Sequence, residues 1–133
     1  MKKALLFGAL ALAGVTALPA TSALAKATGP VAALDTDDDG TVDLKEINKS
    51  ATNLFTRLET DSDGTVDIKE LKGRVSKKDF KTADPDNDGT LSKDEFLTMV
   101  SSLFKDADPD NDGTLDAKEL ASKKGKALLR VTR

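Results

Sequence analysis

The stretch Asp35-Thr-Asp-Asp-Asp-Gly-Thr-Val-Asp-Leu-Lys-Glu46 decides the fold, because it sets acidic residues at alternate positions around one glycine. Three further twelve-residue stretches of the same kind begin at Glu59, Asp84 and Asp108, each 24 or 25 residues after the one before. Alternating oxygen-bearing side chains on a tight turn can surround a hard cation, and the glycine lets the turn close. Four copies at a nearly constant period therefore predict four metal-binding loops, numbered 1 to 4 in chain order.

The four loops follow the EF-hand pattern, in which oxygen ligands stand at positions 1, 3, 5, 7, 9 and 12 and glycine stands at position 6. Acidic surface turns that bind no metal also contain Asp-Gly and Asn-Gly pairs. Here every copy also ends in glutamate and has an apolar residue at position 8, where paired hands are expected to form a short β-bridge; these residues are Val42, Val66, Leu91 and Leu115. The predicted metal ligands are Asp35, Asp37, Asp39, Thr41, Asp43 and Glu46 in loop 1; Glu59, Asp61, Asp63, Thr65, Asp67 and Glu70 in loop 2; Asp84, Asp86, Asp88, Thr90, Ser92 and Glu95 in loop 3; and Asp108, Asp110, Asp112, Thr114, Asp116 and Glu119 in loop 4.

Loops 2 and 3 depart from the commonest ligand set. Glu59 stands at the first position of loop 2, where aspartate is usual. Its extra methylene requires the loop to shift or the carboxylate to bind differently. Ser92 gives loop 3 a hydroxyl at position 9, a ligand that can act through water. We therefore expect loop 2 to be the most altered of the four sites.

The linkers between loops predict how the loops pair. Twelve residues separate loop 1 from loop 2 (Ile47–Leu58), and twelve separate loop 3 from loop 4 (Phe96–Ala107). Apolar residues recur in both linkers at helical spacing, so each linker is predicted to be one helix shared by two hands. Such a helix rises about 18 Å, which places loops 1 and 2 at opposite ends of a rod, and likewise loops 3 and 4.

The middle linker predicts a turn of the chain. Leu71-Lys-Gly73 is expected to end a helix, and Ser76-Lys-Lys-Asp79 resembles a capping box that begins another. The resulting hairpin brings loop 2 beside loop 3 and loop 1 beside loop 4. The sequence therefore predicts an all-α fold, a compact helical bundle of four EF-hands with short shared helices, paired 2/3 and 1/4. The apolar stripes of its helices are expected to form a mutual core, the alternative being a groove for a partner.

The N-terminal residues 1–25 have the features of a cleaved signal peptide. Lys2 and Lys3 precede an apolar run, Ala4–Leu18, which is followed by the small-residue site Ala23-Leu24-Ala25. A membrane anchor is the rival interpretation, but the apolar run is shorter than the roughly 20 residues that a span requires. We therefore expect export to the periplasm, with no stable membrane insertion and residues 26–133 forming a single domain.

The composition narrows the function further. The chain has no cysteine and no histidine and a formal net charge of −3. We therefore predict no disulfide, no zinc or copper site and no nucleic-acid partner. An enzyme is not expected either, because no ordinary nucleophile–base pair is present and the carboxylates are assigned to metal. With four phenylalanines as the only aromatic residues after residue 25, the core is thin. A small acidic chain of this kind is expected to need its metal to fold well.

The region after the signal peptide resembles the lanmodulin family, periplasmic lanthanide-binding proteins of methylotrophic bacteria. The resemblance rests on four hands, linkers of 12, 13 and 12 residues, the stretch Leu71-Lys-Gly-Arg-Val-Ser76, and proline at the second loop position, Pro85 and Pro109. It implies selective binding of lanthanide(III) ions, lanthanum to neodymium, coupled to folding of a largely disordered chain. It also implies a transient protein partner in lanthanide uptake or methanol oxidation. Loops 1 and 2 differ from the family in having Thr36 and Thr60 at that second position.

Charge alone leaves two kinds of metal open. Calcium loops also carry four or five acidic ligands, so Ca²⁺ is the alternative ligand, in a periplasmic buffer or a calmodulin-like sensor. Sensor hands usually open a methionine-rich groove, and Met99 is the one methionine after residue 25. At the C-terminus, a basic cluster is expected to be a solvated helix end that complements the helix dipole, the alternative being a surface for an acidic partner or membrane. Its members are Lys123, Lys124, Lys126, Arg130 and Arg133. The apolar residues among them, 127–129 and Val131, are expected to pack on the core.

Overall fold

The computed structural model describes residues 28–133. The predicted signal peptide, residues 1–25, lies outside the described residues. Residues 28–133 contain six helices: α1 (Pro30–Leu34), α2 (Leu44–Leu58), α3 (Lys77–Ala83), α4 (Lys93–Ala107), α5 (Ala117–Ala121) and α6 (Lys123–Leu129). They also contain four short strands: β1 (Val42–Asp43), β2 (Thr65–Asp67), β3 (Thr90–Ser92) and β4 (Thr114–Leu115). None of these helices has the length and apolarity needed to cross a bilayer.

The two long helices, α2 and α4, each connect two loops, as the spacing of the loops predicts. Each has 15 residues, about 22 Å of helix. Helix α2 begins directly after Asp43, whose carboxylate accepts a hydrogen bond from the Glu46 N–H, while the Glu46 carboxylate accepts one from the Asp43 N–H. This reciprocal capping box satisfies two free N–H groups of the first turn. It also places the last residue of loop 1 inside the helix that follows.

Two small antiparallel sheets accompany the helices, so the fold is mostly helical rather than wholly so. Strand β1 pairs with β4, with Val42 opposite Leu115. Strand β2 pairs with β3, with Val66 opposite Leu91. These four side chains stand at position 8 of the loops and are fully buried. The strands thus join loop 1 to loop 4 and loop 2 to loop 3.

The core lies between α2, α4 and α6, which pack on one another in that order. The apolar faces expected for α2 and α4 are buried, except that Leu103 is partly exposed. Phe55 of α2 meets Phe96 of α4 with ring centroids 5.4 Å apart and planes inclined by 57°, a tilted arrangement that the ring quadrupoles favour. The apolar stripes therefore form a mutual core, as expected, with few aromatic side chains.

The middle linker differs from the prediction. No helix ends at Gly73; residues 68–73 form hydrogen-bonded turns instead. Lys72 and Gly73 both have positive φ, 50° and 74°, and a right-handed helix cannot continue through two such residues. The expected capping box is also incomplete. Ser76 caps α3 by accepting from the Asp79 N–H, but its hydroxyl donates to the Asp79 carboxylate, because aspartate is one methylene shorter than the usual glutamate.

The C-terminal segment turns back onto the core. Helix α5 ends at Ala121, and Ser122 caps α6 by accepting from the Gly125 N–H. The apolar residues Leu128 and Val131 are fully buried, which confirms the predicted packing. The basic cluster was interpreted wrongly in part. Its first two lysines, residues 123 and 124, lie in the first turn of α6, where a cation does not complement the helix dipole.

Backbone carbonyls near the C-terminus accept hydrogen bonds from distant parts of the chain. The Ser50 hydroxyl of α2 donates to the Thr132 carbonyl at 2.8 Å. The Arg74 guanidinium donates to the carbonyls of Arg130 and Arg133 at 3.0 and 2.6 Å. The C-terminal segment therefore links α2 with the turn that connects loop 2 to loop 3.

Candidate metal centres

All four loops close by the same hydrogen bond. The N–H of the glycine at position 6 donates to the carboxylate at position 1, and the four pairs are Gly40 to Asp35 (2.9 Å), Gly64 to Glu59 (2.6 Å), Gly89 to Asp84 (3.0 Å) and Gly113 to Asp108 (3.0 Å). These glycines have φ between 84° and 87°, a conformation that side chains disfavour. Glu59 thus makes the same closing bond as the aspartates, despite its extra methylene.

The residue at position 4 of every loop also has a left-handed backbone. Its φ is 60° at Asp38, 62° at Ser62, 55° at Asn87 and 56° at Asn111. Asparagine and aspartate adopt this conformation more readily than other residues with a side chain. Loop 2 is therefore the one whose position 4, a serine, suits its backbone least.

Side chains at positions 5, 9 and 12 form hydrogen bonds that connect each loop to the segment after it. The carboxylate at position 5 accepts from both the N–H and the hydroxyl of the threonine at position 7, as Asp39 does from Thr41 at 2.8 Å. The side chain at position 9 caps the following segment; Ser92 and Asp116 do so for α4 and α5. The carboxylate at position 12 then accepts from the N–H at position 9. The predicted ligands are thereby fixed by bonds within their own loops.

Three of the four loops bring carboxylates together. Within residues 28–133, the groups whose oxygens lie within 4.8 Å of one another are Asp35, Asp37 and Asp39 in loop 1; Asp84, Asp86 and Glu95 in loop 3; and Asp108, Asp110 and Glu119 in loop 4. In loops 3 and 4 the group includes the glutamate at position 12, whereas in loop 1 it does not. The other predicted ligands lie along the same loops but outside these groups.

Loop 2 is the exception, in accord with its sequence. None of its predicted ligands belongs to such a group among the described residues. Glu59 is partly exposed, whereas the first residues of the other loops, Asp35, Asp84 and Asp108, are 5–9% exposed. The longer side chain still makes the closing bond to Gly64, but Glu59 is more exposed than the three aspartates.

The residue at position 2 makes a contact that the ligand pattern does not indicate. In loop 2, the N–H and the hydroxyl of Thr60 both donate to Oε1 of Glu70, at 3.0 and 2.7 Å. In loop 1, Thr36 makes the same two bonds to Oε1 of Glu46, at 2.5 and 3.1 Å. Pro85 and Pro109 have neither donor. The sequence signal for this contact was the contrast between threonine and proline at one loop position.

The chemistry of these groups suits a hard cation. Such ions prefer oxygen ligands and take six to eight of them, from carboxylates, carbonyls and water. In loop 4, Oδ1 of the buried Asp108 has no hydrogen-bond partner, and a buried acceptor left in this state is costly. Its other oxygen holds the closing glycine. A cation among Asp108, Asp110 and Glu119 would therefore satisfy the unpartnered oxygen.

The pKa values of loops 3 and 4 reflect crowded negative charge. When protonated, Asp86 can donate a hydrogen bond to Asp84, and Asp110 can donate one to Asp108. This raises the pKa of Asp86 and of Asp110, and burial and neighbouring carboxylates add to both shifts. The pKa of Glu119 is also raised, because burial and nearby aspartates outweigh the hydrogen bond from the Asp116 N–H. Repulsion within these loops would be relieved by a bound cation.

In loop 1 the pKa shifts are mixed, because backbone hydrogen bonds outweigh burial and lower the pKa of Asp35. In loop 1 the pKa of Asp37 is raised by burial and by the charges of Asp39 and Glu46. In loop 2 the pKa values of two carboxylates are lowered. Hydrogen bonds from Thr65 lower the pKa of Asp63, and those from Thr60 lower the pKa of Glu70. The carboxylates of loop 2 are thus held by donors of the loop itself rather than crowded against one another.

Sequence comparisons identify the same three loops. A family model described as the EF hand domain matches residues 76–103, which contain loop 3. A second, described as EF hand, matches residues 32–49 and 99–122, which contain loops 1 and 4. A search of curated proteins finds no match to this chain. The matches and the three carboxylate groups together indicate a metal-binding protein of the EF-hand type, for which Ca²⁺ is the usual ion.

Proposed function

We propose that this protein is an exported, lanmodulin-like carrier or buffer that binds trivalent lanthanide ions in preference to calcium and folds as it binds them. The carboxylate groups of loops 1, 3 and 4 carry the proposal. They hold the oxygen ligands that a hard cation requires, on loops closed by the same hydrogen bond. Loop 2 completes a set of four hands, although its ligands are less converged.

The strand pairing supports an arrangement of four hands in two pairs. Hands 1 and 4 share the sheet formed by β1 and β4, and hands 2 and 3 share the one formed by β2 and β3. Val42 and Leu115 pack beneath the first pair, and Val66 and Leu91 beneath the second. A metal that orders one loop therefore also orders the strand of its partner loop.

The charge of the loops favours an ion of higher valence. Loops 1, 2 and 4 each present five ligand carboxylates and loop 3 presents four. Within residues 28–133 the one ion pair joins Lys124 to Asp106 at 3.3 Å, and neither residue is a proposed ligand. A trivalent ion offsets one more negative charge per loop than a divalent ion, and the Coulomb gain at ligand distance grows with that charge.

Coupled folding follows from the small size of the elements. Helices α1 and α5 have five residues each, far fewer than an isolated helix needs in water. Both adjoin metal loops: α1 precedes loop 1, and α5 contains the last three residues of loop 4. Without a cation, repulsion among the loop carboxylates opposes the sheets that hold these helices in place. Metal binding would remove that repulsion and stabilise the bundle.

Calcium binding is the second candidate, supported by the EF-hand matches. In that case the protein would be an exported calcium buffer or a calmodulin-like sensor. The burial of Met99, which is 6% exposed, favours a buffer, because a sensor must present its methionines to a target.

The remaining parts of the proposal concern location and partners. The signal-like N-terminus supports export to the periplasm, and the assignment of carboxylates to metal supports a role without catalysis. A transient protein partner would receive or deliver the ion during lanthanide uptake or methanol oxidation. The exposed basic side chains near the C-terminus, such as Arg130, are available to such a partner.

Circular dichroism in the far ultraviolet tests the preference for lanthanides. The protein is titrated with lanthanum and, separately, with calcium in chelator-buffered solutions, and helix formation is followed against free metal. The proposal predicts a helical transition at far lower free lanthanum than free calcium. Equal midpoints would leave calcium as the physiological ligand. Luminescence of terbium is less suitable, because the chain has no Trp or Tyr to sensitise the ion.

A further inference from the structure

The glutamate at position 12 is engaged differently in the two halves of the molecule. Oε1 of Glu46 accepts two hydrogen bonds from Thr36, and its Oε2 accepts one from the Asp43 N–H. Glu70 has the same three bonds in loop 2. Within the described residues, Glu95 and Glu119 each accept at Oε2 alone, from the N–H of Ser92 and of Asp116.

This difference matters because the last EF-hand ligand binds with both of its oxygens. A carboxylate offers about four lone-pair sites, two on each oxygen. In loops 1 and 2 both sites of Oε1 are occupied by the threonine, so one bond must open before that oxygen can bind a metal. In loops 3 and 4 each oxygen keeps a free site. Only in those two loops does the glutamate join the carboxylate group.

We infer that Thr36 and Thr60 are positioning residues that restrain the position-12 glutamate and make loops 1 and 2 the weaker pair of metal sites, whereas Pro85 and Pro109 leave that glutamate free in loops 3 and 4. The inference rests on the proposed metal-binding function of the loops. When a metal binds, the hydrogen bond from the threonine hydroxyl opens and the one from its N–H stays, because the N–H belongs to the fixed backbone of the turn. Each strand pair therefore joins one restrained loop to one free loop.

The consequence is an order of filling. Loops 3 and 4 bind first, and their strands align β2 and β1 of the partner loops. The restrained loops then bind at a higher concentration of free metal. A chain with four sites thus responds to metal in two steps rather than one, with the residue at position 2 determining the step to which each loop belongs.

Valine in place of threonine separates the hydroxyl from all other properties of position 2, because it keeps the N–H, the β-branch and the approximate size. The test uses the protein with Glu95→Gln and Glu119→Gln, which remove the bidentate ligand from loops 3 and 4. Glutamine preserves the capping boxes there. In this background, Thr36→Val with Thr60→Val is compared with Thr36→Ser with Thr60→Ser by lanthanum titration against a chelator.

The valine pair is expected to bind lanthanum about threefold to tenfold more tightly than the threonine background, the effect of losing one competing hydrogen bond. The serine pair keeps the hydroxyl and is expected to match the background. Infrared spectroscopy of the carboxylate stretch at subsaturating lanthanum should show more bidentate glutamate in the valine pair. If the hydroxyl had only a structural role, its removal would not increase the infrared signal of bidentate glutamate.

A reverse exchange tests the same idea in loop 3 of the otherwise unchanged protein. Pro85→Thr should bind its ion more weakly than Pro85→Val, since the two differ only in a hydroxyl in place of a methyl group. Equal or weaker binding by the valine variants than by their threonine counterparts would overturn the inference. Loss of all lanthanum binding by the Glu95→Gln, Glu119→Gln background would instead overturn the proposed function of loops 1 and 2, and the inference with it.

Discussion

Val42 in loop 1 lies directly opposite Leu115 in loop 4, and both side chains are fully buried. The two residues come from opposite ends of the described chain, so their pairing closes the fold. Val66 and Leu91 form the same pair between loops 2 and 3. Because each pair lies beneath two candidate metal centres, the register of the strands determines which centres act together.

Disulfide trapping should detect this pairing. The chain has no cysteine of its own, so Val42→Cys with Leu115→Cys introduces two thiols at paired strand positions. Paired Cα atoms in antiparallel strands lie about 4.5–5.5 Å apart, within the range that a disulfide spans. We expect rapid oxidation in the presence of metal, measured by mobility on a non-reducing gel and by loss of free thiols.

The matched control places the second cysteine in loop 2. Val42→Cys with Val66→Cys puts thiols at the two ends of α2, about 22 Å of helix apart. This variant should stay reduced under the same conditions. Preferential cross-linking of the control would mean that neighbouring loops in the sequence pair with each other, and the architecture would be wrong.

Ser62→Asn should strengthen loop 2. Position 4 is left-handed in every loop, with φ 62° at Ser62 and 56° at Asn111, and asparagine tolerates this conformation better than serine. We expect the metal-bound protein to gain about 0.5–1 kcal/mol of stability, measured by urea unfolding at saturating lanthanum. Asn111→Ser in loop 4 should produce a loss of similar size. A gain from both changes would show that backbone conformation at position 4 does not limit these loops.

Gly125→Ala should destabilise the C-terminal segment. A Cβ at residue 125 would lie 2.2 Å from the Glu119 carbonyl oxygen and 2.5 Å from the Leu120 Cα. Both are backbone atoms, which cannot move aside as a side-chain end would. We expect a loss of about 1–3 kcal/mol in thermal or urea unfolding of the metal-bound protein. Lys126→Ala, at an exposed position of the same helix, is the control and should have little effect; equal stability of both variants would contradict the close packing of α5 against α6.

Acid should release metal from loop 4 at a higher pH than from loop 2. Ligand carboxylates must lose their protons to bind metal, and a raised pKa lets the proton compete at higher pH. The pKa values of Asp110 and Glu119 are raised, whereas those of Asp63 and Glu70 are lowered. Loop 4 should therefore begin to lose affinity above the ordinary carboxyl values of 3.8 and 4.5, and loop 2 below them.

Two variants make that comparison possible. Each replaces three of the four position-12 glutamates by glutamine, leaving glutamate in loop 4 or in loop 2 alone. Lanthanum affinity is measured from pH 7 downward and normalised to its own plateau. The reverse order of acid release would show that the local hydrogen bonds and charges do not control proton competition.

The sequence was most informative where a residue's role depends on its place in the repeat. The apolar residues at position 8 predicted the sheets, and the twelve-residue linkers predicted α2 and α4 together with the loops that each keeps apart. Loop geometry repeats in this way because one hydrogen bond, from glycine at position 6 to the carboxylate at position 1, closes every copy.

The sequence was least informative where a local backbone conformation overrides the helical pattern. Residues 68–73 resemble the end of a helix, but the positive φ of Lys72 makes the segment a set of turns. The basic residues from Lys123 onward were expected at the end of a helix, but Ser122 caps a new helix that begins there. Neither lysine nor serine identifies such a break by itself, because both also occur within helices.

The sequence pattern is also incomplete as a description of the candidate metal sites. The ligand pattern gives Glu46 and Glu95 the same role, yet only Glu95 lies in a carboxylate group. The difference comes from a residue that is not a ligand, Thr36, whose hydroxyl and N–H hold Glu46. A pattern that records ligand positions does not include this competition, because it arises between position 2 and position 12 across the loop.

The most direct test of the account is a count of bound ions by native mass spectrometry. The protein is equilibrated with lanthanum, and its mass is compared with that of four variants, Glu46→Gln, Glu70→Gln, Glu95→Gln and Glu119→Gln. Four metal-binding loops should give up to four ions on the unmodified protein and one fewer on each variant, with the first ions lost from loops 1 and 2 as free lanthanum falls. An unmodified protein that retains no ion, or variants that each retain as many ions as the unmodified protein, would contradict it.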